Sequence, residues 1–150
     1  MHTHTSIPAF KPSLITVGVL YVLMAASILL QGISASMAPF GVPAETLASP
    51  HYVDAMTWVY THMLIIGVLI GLVGAKSREV GFQRTFVRAC FAAHLVYLFL
   101  DLRTSDTVFG NALYQGDASA IPAITVFCFL CVFGFLSFAP LRETKDYVPT

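Results

Sequence analysis

Apolar positions in this chain come in four blocks, residues 13–31, 51–75, 82–102 and 119–139, and polar positions gather between the blocks. Each block is near the roughly 20 residues that an α-helix needs to cross a bilayer core. Proline falls where such helices tolerate it: Pro50 and Pro122 in or near a first turn, and Pro140 just past the last block. The pattern predicts an all-α protein, an integral membrane four-helix bundle. Little chain remains for a soluble domain, and no repeat or low-complexity tract divides it, so residues 1–150 are expected to form one domain.

Composition agrees with this pattern. Of the 150 residues 57% are hydrophobic and 11% charged, whereas a soluble domain carries about 25% charged residues. The formal net charge is zero and there is no basic tract to follow phosphates, which excludes nucleic acid as a partner. The lipid bilayer is the expected surrounding, as a bacterial inner membrane or a eukaryotic endomembrane.

Charge also orients the chain. Lys11 precedes the first block, Lys76, Arg78, Arg84 and Arg88 surround the second connection, and Arg142 and Lys145 follow the fourth block. The first connection has no lysine or arginine and the third only Arg103. By the positive-inside rule both termini are cytoplasmic. The first block is longer than the about 7–15 apolar residues of a signal peptide and is expected to be retained as a helix.

Against this apolar background the third block carries a polar lane. Gln83, Cys90, His94, Tyr97 and Asp101 are spaced as residues stacked on one side of a helix. Ionisable groups are costly inside a bilayer, so such a lane must face protein or a wet cavity. On the second block Asp54, Trp58 and His62 recur every fourth residue. At about 1.5 Å per residue, His62 lies roughly 12 Å from Asp54 along the axis, and His94 roughly 10 Å from Asp101. The short basic connection predicts that these two helices form an antiparallel hairpin. Both histidines then reach a similar depth below an outward-opening polar pocket.

Asp101 is the more informative carboxylate. Asp54 sits in a first turn, where the helix dipole favours an anion, but Asp101 is at a C-terminal end, where it does not. Arg103 offers Asp101 an ion pair as the simpler explanation. The longer outward connections, with Glu45 in one and Asp106, Asn111, Tyr114 and Asp117 in the other, are placed to cap a site.

Three functions fit these residues. The first is acid–base chemistry on a lipophilic small molecule, such as isomerisation, cyclisation or epoxide opening, which requires no cofactor. There Asp101 or Glu45 serves as acid and His94 or His62 as relay or base, with Asp54 nearby. Tyr97, Trp58, Glu45 and Arg103 line the substrate site. The second is electron transfer by a haem b held between His62 and His94. The third is a non-catalytic accessory subunit of a membrane complex, its polar lane specifying only helix packing.

Other features read more simply. Cys90, Cys128 and Cys131 all fall at membrane depth, where small polarisable packing is the plainer role and metal or redox work the sharper one. Gly67, Gly71 and Gly74 allow close helix approach, within the bundle or in a homo-oligomer. His2 and His4 lie in a polar tail where a copper site is conceivable and a disordered end simpler.

The layout resembles the small bacterial four-helix membrane families typified by DoxX-like and BphX-like proteins. The likeness runs from the Met37-Ala38-Pro39-Phe40-Gly41-Val42-Pro43 loop through Trp58-Val59-Tyr60, Gly67 and Gly71 to the basic turn and two further helices. It implies the four-helix architecture and no catalytic residue.

Overall fold

A computed structural model describes residues 3–106, 108, 113–115 and 118–145. A short strand β1 (Thr3–Ser6) leads into helix α1 (Phe10–Gln31). Gly32, at φ 87°, breaks the chain before α2 (Ile33–Met37), a 3-10 turn (Ala38–Phe40) and α3 (Ala44–Leu47). Two long helices follow, α4 (Pro50–Lys76) and α5 (Val80–Ser105), then α6 (Ile121–Phe138) and strand β2 (Arg142–Lys145). The helices α1, α4, α5 and α6 are long and apolar enough to cross a membrane. Their ends lie close to the expected bounds, and Pro50 and Pro122 occupy first-turn positions.

Large apolar side chains cover the outside of these helices, among them Leu23, Leu69, Phe99 and Phe138, all exposed. Exposed apolar surface on this scale suits a bilayer, whose tails are as apolar as leucine.

The helices pair differently from expectation. The expected α4–α5 hairpin is absent as a packed unit: α4 lies along α1, α5 along α6, and α1 also touches α6. The connection of Ser77, Arg78 and Glu79 joins α4 to α5, but the two make no comparable contact along their length. Close contact elsewhere explains this. A Cβ added at Gly18 would meet Gly67 O at 2.6 Å, one at Gly67 would meet Tyr21 Cβ at 2.7 Å, and one at Gly74 would meet Leu14 Cβ at 2.7 Å. The glycines of α4 thus admit α1 to backbone contact, and short-range packing is the main attraction between helices in lipid.

The α5–α6 pair has a polar fastening. Arg84 donates through Nη1 to Ser137 O at 2.7 Å and through Nη2 to Ala139 O at 3.0 Å. These carbonyls belong to the C-terminal end of α6, which lacks intrahelical donors and carries the negative end of the helix dipole.

At the terminal end of the bundle β1 and β2 pair antiparallel, Thr3 with Lys145 and Ser6 with Arg142. Both described ends of the chain therefore lie on one side. This ribbon had no signal in the hydrophobic pattern. Of the two tail histidines, His4 falls in β1 and His2 lies outside the described residues, as do Asn111 and Asp117 of the last connection. At the opposite, loop end Ile33, Met37 and Val42 form a second small core with Tyr52, Met56, Tyr60 and Tyr114. Gln115 N donates to Phe40 O at 3.1 Å, joining the two long connections into one cap.

Gly67→Ala should destabilise the protein by about 1–3 kcal/mol through overpacking against Tyr21 and Gly18. Gly71→Ala, with nothing within 4 Å of the added carbon, should be neutral or stabilise by up to about 1 kcal/mol. Thermal unfolding in mild detergent distinguishes them; equal losses would refute the close α1–α4 contact.

Candidate functional site

Because α4 and α5 diverge, a cavity of about 660 Å³ lies on the loop side of the bundle, with walls from α1, α4, α5 and α6. Most of its wall is apolar or aromatic, including Met24, Ile28, Met63, Ile66, Val126 and Phe129. The pocket anticipated as polar is thus a greasy chamber with a few polar groups, since only one face of each helix turn carries them. Phe40 and Tyr114 reach it from the loop cap, their ring centroids 5.9 Å apart. The wall residues Trp58, Val59, Tyr97 and Leu100 stay exposed, so the chamber is open at the seam between α4 and α5.

Of the residues singled out in the sequence, Trp58, His62, Tyr97 and Asp101 line this chamber. Asp101 lies near the loop end of α5 and is half-buried. Trp58 and His62 stack at 5.3 Å, and the His62 Nδ1–H donates to Trp58 O at 2.7 Å. The carbonyl can only accept, so this bond fixes the proton on Nδ1.

His94 does not line the wall but sits just behind it, 3% exposed. Its Nδ1–H donates to Cys90 O at 2.7 Å, and in the neutral ring Nε2 accepts from the Tyr21 hydroxyl at 2.5 Å. Both ring nitrogens are therefore engaged, and in this arrangement neither is free to ligate a haem iron. Among the described residues no group of three or more His, Cys, Asp or Glu side chains is placed to hold a metal ion.

Tyr21 is the residue the sequence argument missed. It lines the chamber, is 7% exposed, and packs against Phe129 with ring centroids 4.9 Å apart. His94 in turn meets Phe133 at 4.8 Å and Tyr97 at 5.6 Å. Tyr21 and Phe129 form the chamber floor, backed by His94 and Phe133. A signal was present: a lone phenol inside the first block, flanked at helical spacing by the small residues Gly18 and Ala25.

Asp54, Glu45 and Arg103 are exposed and lie outside the wall. No ion pair joins Arg103 to Asp101. Gln83 is buried below the floor, where its Nε2 donates to Ser77 O at 3.0 Å and closes the α4–α5 connection. Cys128 and Cys131 are exposed free thiols on α6, and Cys90 is a half-buried one. Tyr114, outside the membrane helices, has its phenol pushed up by burial and then by the neighbouring charges of Tyr60, Tyr52 and Asp101. Tyr114 and Asp101 line the same chamber.

No family model, no curated protein and no solved structure matches the chain. The resemblance to DoxX-like and BphX-like proteins rests on layout alone.

Tyr21→Phe should cost about 1–3 kcal/mol, because it strands a buried acceptor on His94. Combined with His94→Leu, which removes that acceptor, the loss should be clearly smaller than the sum of the two single losses. Strict additivity in the unfolding measurements would mean that the two side chains are not coupled.

Proposed function

We propose that this protein takes a lipophilic small molecule from the bilayer into the chamber and acts on it by acid–base chemistry. The observation that carries this reading is the chamber: about 660 Å³, mostly apolar, open at the α4–α5 seam, with Asp101 in its wall and the Tyr21–His94 pair at its floor. Ligand sites typically measure about 300–1,000 Å³ and combine an apolar lining with a few convergent polar groups. An opening between two membrane-spanning helices gives direct passage to a molecule dissolved in lipid.

The residues divide the work by position. Tyr21 offers its oxygen lone pairs to a ligand hydroxyl or enol, and can pass its own proton to His94 Nε2 as it accepts another. Asp101, further toward the loops, exchanges a proton at the other end of the ligand. Tyr97, Trp58 and His62 position the ligand between them. Such a pair of separated proton-carrying groups suffices for isomerisation, cyclisation or epoxide opening, with no cofactor required.

The arrangement of lysines and arginines supports a cytoplasmic location for both termini, with the chamber on the opposite side. A reporter active only in the cytoplasm should work when fused at the C-terminus. Activity of a periplasm- or lumen-restricted reporter at that position would reverse the orientation.

Activity itself can be sought by incubating the protein in nanodiscs with a lipid extract of its native membrane and following consumed and new species by mass spectrometry. Wild type should convert at least one lipophile. Asp101→Asn and Tyr21→Phe should each reduce that conversion by about 10²-fold or more, the usual contribution of general acid–base groups. Equal conversion by wild type and both variants would leave the polar groups with a packing role alone.

A further inference from the structure

We infer that the molecule the chamber takes is a lipophilic cation, an amphiphile with a single protonated amine on an apolar body. The inference rests on the chamber being a ligand site, as proposed above, and on the balance of charge in its wall. Among the described residues Asp101 is the one acidic side chain in the wall, and no lysine or arginine lines it. Arg103, two residues further on, is exposed and does not line the wall. The other titratable group besides phenols is His62, whose Nδ1–H is committed to Trp58 O.

A carboxylate in apolar surroundings without a cation partner is expensive, and a ligand that brings the missing charge recovers that cost. The aromatic faces point to the same class. Trp58, Tyr60, Tyr97 and Tyr114 surround the loop half of the chamber, and ring faces attract an ammonium through their quadrupoles. An anionic ligand would meet repulsion from both the carboxylate and the rings. Because Asp101 lies toward the loops and Met24, Val126 and Phe129 lie toward the floor, the amine belongs at the loop end with its apolar body directed inward.

Three probes of similar chain length separate the possibilities: N,N-dimethyldodecylamine, the neutral 2-tetradecanone and the anionic tetradecanoate. The full chain is placed in phosphatidylcholine nanodiscs, and retention is measured against empty discs. Emission from Trp58, the single tryptophan, gives a second readout inside the wall.

The amine should bind at least about tenfold tighter than the ketone, with tetradecanoate weakest. Asp101→Asn should bring amine and ketone within about twofold, chiefly by weakening the amine. Glu79→Gln, the same charge change at the opposite end of α5, should keep the full preference. Ketone binding equal to or tighter than amine in wild type, or a preference that survives Asp101→Asn, would overturn the cation assignment and leave the ligand site standing. If none of the three is retained beyond empty discs, the ligand-site reading falls with it.

Discussion

The hydrogen bond between Tyr21 and His94 is the point on which the two halves of the bundle meet. One half is α1 with α4, held by glycines; the other is α5 with α6, held by apolar packing and the Arg84 clamp. In lipid there is no hydrophobic force to draw the halves together, because a helix face is as content against acyl chains as against another helix. What joins them must be packing or polar bonding that lipid cannot supply. The phenol of α1 inserted against the imidazole of α5, with Phe129 and Phe133 around it, meets that requirement. Gly67 is part of the same device, since a side chain there would displace Tyr21 from its position.

The chamber is the consequence of where this joint lies. On its terminal side the bundle is filled by Leu14, Val17, Val87 and Leu136. On its loop side α4 and α5 separate, and among the described residues the cap of short helices and residues 113–115 closes that end. A membrane protein with so few polar residues concentrates them where a cavity exists. Asp101, His62, Tyr97 and Tyr60 occupy positions where a lipid-facing side chain would carry no such group.

Much of this was legible in the sequence, and what was not has physical reasons. The four spans and their proline starts follow from length and hydropathy, which depend only on local chain chemistry. The lane of His94, Tyr97 and Asp101 follows from helical spacing, and two of its neighbours across the cavity, Trp58 and His62, are named with it. Partner choice was misjudged. Adjacency in sequence favoured α4 beside α5, but the three-residue connection constrains only their ends, while the glycine contacts decide which faces actually meet. Tyr21 stands out in the sequence only as a lone phenol between Gly18 and Ala25; its significance appears when His94 arrives from another helix. Asp54, Glu45 and Arg103 were drawn in by charge and loop position, and solvent-side exposure explains them more simply.

The ribbon of β1 and β2 adds a mechanical consequence. Together with the three-residue connection between α4 and α5, it gathers the polar fastenings between the long helices toward one end: strand pairing, the Arg84 clamp, the Gln83 bond and, just above them, the Tyr21–His94 joint. At the other end the halves are linked by the loop cap, through the Gln115–Phe40 bond and the small core that Tyr114 joins. The long helices are thus fixed to one another by polar bonds at the base, and at the mouth by the cap laid across them.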